Sequence, residues 1–148
     1  MWGVNRFTEV FKALADGTRL RIVRLILSAE CPVCVCELAD ALDVPQYQVS
    51  RHLAVLRHAG LVTDARKGTW VYYAPASAQD AFFRRLYDLV RDGIDHEAFE
   101  RDVQRLNVRL ALRCGDECVL GPGDQKVRDA LLQADRMMTT SNSQGEEP

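Results

Sequence analysis

Five cysteines carry the most specific chemistry in this chain: Cys31, Cys34, Cys36, Cys114 and Cys118. Three of them fall in one short run, Cys31-Pro32-Val33-Cys34-Val35-Cys36, and two more in Cys114-Gly115-Asp116-Glu117-Cys118. In a reducing compartment such clusters point to metal binding or redox work before a disulfide framework. Soft thiolates suit arsenite, antimonite and soft divalent ions. A helix N-terminus beneath the first cluster would favour the thiolate form, and Pro32 suits a helix start.

The cysteines need elements to hold them, and the periodicity supplies mostly helices. Phe7, Val10, Phe11 and Leu14 follow helical spacing. Asp16 is placed to cap a second helix with Leu20, Val23, Ile26 and Leu27 as its stripe. A short helix from Cys34 to Leu42, a tight Asp43-Val44-Pro45 connection and a helix from Gln46 to His58 come next, the last stopped by Gly60. Then the period drops to two. Segments 61–66 and 69–73 flank Lys67-Gly68 as a β-hairpin. Helical patterns resume at 78–92, 95–112 and 125–138, with 121–124 breaking between them. The polar end, 139–148, reads as disordered.

Two short helices, a turn and a hairpin make a mostly α, winged helix-turn-helix. With Val49, Leu53 and Leu56 turned inward, Gln46, Gln48, Ser50, Arg51 and His52 face outward, where they can meet base edges or phosphates. Arg66, Lys67 and Thr69 fall at the wing tip. Net charge is −2, which by itself does not suggest nucleic acid. The balance is uneven, though: nine basic and seven acidic residues within 1–75, ten and fourteen thereafter. A local patch matters more than the total. The longest apolar run, Trp70–Ala74, is too short to span a bilayer. The N-terminal stretch lacks the apolar core of a secretion signal, so a cytoplasmic location is expected.

FKALADGTRLRIVRLIL, VCVCELADALDVPQYQVSRHLAVLRHAGLV and ARKGTWVYYAPA, in that order, resemble the ArsR/SmtB family of metal-sensing winged-helix repressors. The resemblance covers about residues 5–76; residues 77–148 match only as helices of the kind that family uses to dimerise. It implies a homodimer, joined through N- and C-terminal helices, that binds double-stranded operator DNA and lets go when inducer binds. It implies no enzymatic activity and no prosthetic group. A dimer also suits DNA reading, because one small module contacts too few base pairs to be selective. The domain reading is 5–112 for DNA binding and dimerisation, 113–138 for an extension carrying Cys114 and Cys118, and 139–148 for the tail.

The family's arsenic sensors carry Cys-Val-Cys at this place, matched here by Cys34 and Cys36. Their third cysteine falls three residues later, where this chain has Ala39. The remaining sulfur for As(III) or Sb(III) is then Cys31, Cys114 or Cys118. A four-thiolate Cd(II) or Pb(II) site using Cys34, Cys36, Cys114 and Cys118 is the alternative, in one chain or across two. A zinc ribbon pairing Cys31/Cys34 with Cys114/Cys118, a thiol redox switch and a thiol oxidoreductase on Cys31/Cys34 are weaker alternatives. The family's zinc and nickel sensors use several histidines on C-terminal helices, and that region offers only His96. If Cys34 and Cys36 both sat in a regular helix they would point about 200° apart. Ligation is then expected to unwind the first turn of that helix.

Overall fold

In a computed structural model of the chain, residues 3–78, 80–121 and 123–143 are described. Helices α1 (Val4–Leu14), α2 (Gly17–Ser28), α3 (Val35–Leu42) and α4 (Gln46–His58) precede a hairpin of β2 (Val62–Lys67) and β3 (Trp70–Pro75). A two-residue strand, β1 (Val33–Cys34), adds to the other edge of β3, giving antiparallel order β1-β3-β2. Helix α5 (Ala81–Asp88), a π turn (Leu89–Gly93), a 3-10 turn (His96–Phe99), α6 (Glu100–Leu110) and α7 (Gln125–Ser143) complete the order.

Local chemistry accounts for the boundaries that matter to function. The Asp16 carboxylate accepts the Arg19 amide at 3.0 Å and so caps α2. Asp16→Ala is expected to cost about 1 kcal/mol, measured by urea denaturation. Asp43 ends α3 in the left-handed region, φ 55°, a conformation Asp tolerates better than most residues. It turns the chain sharply into α4. Gly68, at φ 61°, occupies the first place of the two-residue loop between Lys67 and Trp70.

The core gathers Val10, Ile22, Leu25, Ile26, Leu38, Val49, Leu53 and Leu56 between α1, α2, α3 and α4. The inward face read for α4 is thus fully buried. The first-helix stripe is only partly so. Phe7 and Phe11 pack edge-on against Phe82 of α5, at 4.8 and 5.9 Å between centroids. Both keep exposed area, as do Val4 and Leu89.

Four expectations need correction. Cys34 is not a helical residue: it ends β1 and stands as the N-cap of α3 in extended conformation, φ −72° and ψ 147°. Pro32 accordingly precedes a strand, not a helix. The pattern at 78–92 closes as a π turn, and that at 95–112 opens as a 3-10 turn. The segment 139–143, expected to be disordered, continues α7. There the Thr139 hydroxyl donates to the Asp135 carbonyl at 2.9 Å and the Ser141 hydroxyl to the Met137 carbonyl at 3.2 Å, so polar side chains bond along the helix. Residues 144–148 lie outside the described residues. No described helix is long and apolar enough to cross a membrane.

Candidate metal centre and DNA-facing surface

Three sulfurs converge. Cys36 Sγ lies 3.1 Å from Cys34 Sγ and 3.5 Å from Cys118 Sγ, and all three fall within 4.8 Å of one another. Each residue is at most 2% exposed. Among the described residues no other group of three or more Cys, His, Asp or Glu has ligand spacing.

The local backbone explains the convergence. Because Cys34 is extended and Cys36 is in the first turn of α3, their side chains are not fixed at helical angles. The expected divergence of Cys34 and Cys36 by about 200° does not arise, and no unwinding is needed to bring them together. The Cys34 amide donates to Glu37 Oε1 at 2.9 Å, the reach-back of a capping carboxylate. Glu37 is fully buried, and Arg113 holds it, with Nε 2.7 Å from Oε2. Arg113 Nη2 also donates to the Pro32 carbonyl at 2.8 Å. One guanidinium therefore fastens both flanks of the Cys34–Cys36 turn to the chain just before Cys118.

Cys118 arrives from the loop between α6 and α7. Its amide donates to the Tyr72 hydroxyl oxygen at 2.9 Å, and its thiol faces the Leu120 carbonyl at 3.5 Å. Arg109 of α6, with no exposed surface, bonds Asp40 Oδ2 at 2.9 Å and the Leu120 carbonyl at 2.8 Å. Its Nη2 stands 3.8 Å from Cys36 Sγ and 3.9 Å from Cys118 Sγ. Arg105 donates to the Ala41 and Asp40 carbonyls, and its Nη1 pairs with Asp135 of α7 at 2.7 Å. The α6 arginines thus tie α3 to the C-terminal extension.

The three thiols differ in acidity. The Cys36 thiol hydrogen bond pulls Cys34 below the ordinary thiol range, to about 7. That same bond, with burial, pushes Cys36 up. Burial raises Cys118. Above about pH 7 this leaves one proton-poor sulfur beside two protonated ones.

Cys31 and Cys114 are exposed and lie outside the trio. Cys31 Sγ takes Arg113 Nη1 at 3.6 Å, and Cys114 pairs through its backbone with Glu117. Neither the Cys31 completion of a three-thiol site nor the ribbon and four-thiol sets are assembled here. His96 Nδ1 sits 2.8 Å from Arg24 Nη2.

On α4, Gln46, Gln48, Ser50 and Arg51 are exposed. His52 is half-buried, with Nδ1 3.4 Å from Arg19 Nη1, so its ring turns toward α2. Arg19 itself is anchored on the Ala13 carbonyl at 2.6 Å. Sequence reasoning misses Tyr47, which is 61% exposed. Gln48 Nε2 donates to its hydroxyl at 3.2 Å, and Arg51 Cζ lies 5.8 Å from its ring centroid. An aromatic side chain set among polar residues on an outward helix face is the available signal. At the wing Arg66, Lys67 and Thr69 are exposed, and Arg57 pairs with Asp64 at 2.8 Å, joining α4 to β2.

Comparison with known proteins agrees with this architecture. A model of bacterial regulatory proteins of the arsR family matches residues 16–64. The arsenical resistance operon repressor of Escherichia coli K12 is 46% identical over 80 residues, 54% of this chain and 68% of that protein. The arsenic resistance transcriptional regulator ArsR1 of Pseudomonas putida KT2440 is 56% identical over 64 residues, 43% of this chain and 49% of that one. The chain thus spans about half the length of that relative. A homodimeric winged helix-turn-helix DNA-binding domain from Mycobacterium bovis, a possible ArsR-family regulator, superposes with a TM-score of 0.53. It is 32% identical and covers 64% of this chain and 82% of that one. HlyU from Vibrio cholerae gives 0.52 at 27% identity, covering 64% and 92%. This chain belongs to the arsR family of bacterial regulatory proteins, and its fold is the winged helix-turn-helix.

Proposed function

We propose that this chain is a transcriptional repressor that binds operator DNA as a homodimer and releases it when As(III) or Sb(III) is captured by Cys34, Cys36 and Cys118. The observation that carries the reading is the enclosed trio of sulfurs at the base of the helix-turn-helix. The names of the Escherichia coli and Pseudomonas putida relatives support the arsenical inducer and the repressor role.

Charge favours a trivalent ion. Arg109 is already matched by Asp40, and Arg113 by Glu37. Three thiolates on a trivalent centre add no net charge to this buried place. Three on a divalent ion leave one uncompensated negative charge, which is costly away from water. The four-thiol Cd(II)/Pb(II) alternative also needs Cys114, which is exposed and outside the trio.

Proton balance gives a test. Neutral arsenous acid brings three hydroxides, and three thiols supply three protons to make three waters. Above about pH 7, where Cys34 is deprotonated, binding takes up one proton. Arsenite affinity is therefore expected to fall as pH rises through about 7. Cadmium expels protons, so its affinity rises over the same interval. Titration at pH 6 and pH 8 separates the two; arsenite affinity that climbs with pH argues against the assignment of protons.

Binding would reach DNA through α3, which carries Cys36 and packs on α4. Couplings between such sites are typically about 1–3 kcal/mol, or about 5–150-fold in operator affinity. On the DNA side, Arg51→Ala is expected to cost about 1–3 kcal/mol at the operator and little on random sequence. Lys67→Ala is expected to weaken binding to all sequences and lower the salt slope by about 1. Anisotropy titrations across salt check both; equal losses on random DNA would remove the base-reading role of Arg51. The apolar surface of Val4, Phe7, Phe11 and Leu89 supports pairing through the N- and C-terminal helices, as does the homodimeric Mycobacterium bovis domain. The cytoplasm is where such a repressor would meet its operator.

A further inference from the structure

Tyr72 stands where the thiol trio and the wing share atoms. Its backbone on β3 pairs with Cys34 of β1 on one side and Ala65 of β2 on the other. Its hydroxyl oxygen accepts the Cys118 amide at 2.9 Å. Its ring faces two cations: Lys67 Nζ at 5.8 Å and Arg113 Cζ at 5.7 Å from the centroid. Lys67 is the last residue of β2, at the wing tip. Tyr72, Cys34, Cys36 and Cys118 form an apolar cluster separate from the main core, with Val35 and Trp70 packed against it. The sulfurs are part of the packing of the wing sheet.

We infer that Tyr72 is the positioning residue that couples occupancy of the thiol trio to the wing's hold on DNA, by joining the Cys118 amide to the ring that seats Lys67. The inference rests on the proposed function above. Sulfurs bound to one ion take spacings set by that ion, whereas here they stand at thiol hydrogen-bond spacings, 3.1 Å from Cys36 to Cys34 and 3.5 Å from Cys36 to Cys118. Cys34 and Cys36 are fixed by β1, α3 and the Glu37–Arg113 pair, whereas Cys118 sits in a loop. Capture of an ion therefore re-spaces the trio chiefly by moving Cys118, and its amide moves with it. A phenol ring is rigid, so displacement of its oxygen tilts the face that holds Lys67. Tyr72 is on the central strand, so the tilt also reaches both hairpin partners. The α3-to-α4 route does not pass through the Tyr72 oxygen, and the two routes are separable.

Tyr72→Phe in the full chain deletes only the acceptor. Operator affinity is measured by fluorescence anisotropy with and without saturating sodium arsenite, and arsenite affinity by sulfur–arsenic absorption in the ultraviolet. Affinity for operator without arsenite, and for arsenite itself, should each stay within about threefold of the unmodified chain. The ratio of operator affinities without and with arsenite, roughly 5–150-fold in the unmodified chain, should fall by at least about threefold, the α3-to-α4 route carrying the remainder. Arsenite should alter hydrogen exchange of amides 62–75 in the unmodified chain and not in the variant. An unchanged ratio overturns the inference. So does a tenfold or greater loss of arsenite affinity, since Tyr72 would then build the site and not report on it. Lys67→Met, at an exposed position that does not threaten folding, should also lower the ratio; an unchanged ratio there counts equally against it. Failure of the unmodified chain to release operator at all would instead sink the proposed function itself, and is seen before any variant is made.

Discussion

Cys118→Ser is expected to keep operator binding and to abolish arsenite-induced release. Serine keeps the backbone amide that bonds Tyr72 and is close in size to cysteine, so the loop retains its anchor. What it lacks is a soft ligand. With two sulfurs instead of three, arsenite affinity is expected to drop by at least about 100-fold, equivalent to about 2.8 kcal/mol. Cys31→Ser and Cys114→Ser change exposed thiols outside the trio and should alter release by less than about twofold. The pattern across the three variants is the informative result. Loss of release in Cys31→Ser with retention in Cys118→Ser would move the third ligand back to the Cys31 turn.

Arg109→Ala is expected to produce the largest loss of stability. Arg109 has no exposed surface and bonds Asp40 and the Leu120 carbonyl. Truncation leaves Asp40 half-sheltered without its partner, and breaking one side of a buried pair costs about 3–5 kcal/mol. For a chain of this length that lowers Tm by roughly 10 °C. The pH dependence comes from Asp40. Burial raises its carboxyl above the ordinary value, and Arg109 opposes that rise. Without Arg109 the folded-state value climbs further above the unfolded one. The penalty is then full at neutral pH and is relieved as pH falls through the raised value, because the folded state takes up the proton first. Thermal melts at pH 7 and pH 5 should show a smaller deficit at the lower pH. Replacing both partners with apolar residues, Arg109→Met with Asp40→Leu, should recover much of the loss. A single variant as stable as the unmodified chain would show that the pair contributes nothing.

Much of the fold is legible in the residues because it arises from periodicity and punctuation. Val49, Leu53 and Leu56 define the buried face of α4, and Gly60, at φ 82°, ends the segment. Asp16 announces its cap by type and place. The thiol site is less legible. Cys34 and Cys36 are marked by the family resemblance, but β1 has only two residues, too few to show a period of two. The pairing of Val33 with Tyr73 and Cys34 with Tyr72 comes from tertiary contact, and it takes Cys34 out of the helix. Cys118 is one of three candidates by sequence, because nothing local brings residue 118 to residue 36. That proximity depends on Arg109 and Arg113 reaching from α6 and its end to Asp40 and Glu37. The helical course of 139–143 is hidden by a polar composition whose hydroxyls bond along the helix. His52 faces outward by helical spacing alone, and Arg19 draws it back.

In the proposed function, release of operator depends on three sulfurs, drawn from the base of the helix-turn-helix and from the loop after α6, closing on one ion. X-ray absorption on the arsenite-loaded chain measures this directly. Three sulfur neighbours are predicted, unchanged in Cys31→Ser and Cys114→Ser and reduced to two in Cys118→Ser. A count of two in the unmodified chain, or a count of three that survives loss of Cys118, would contradict it.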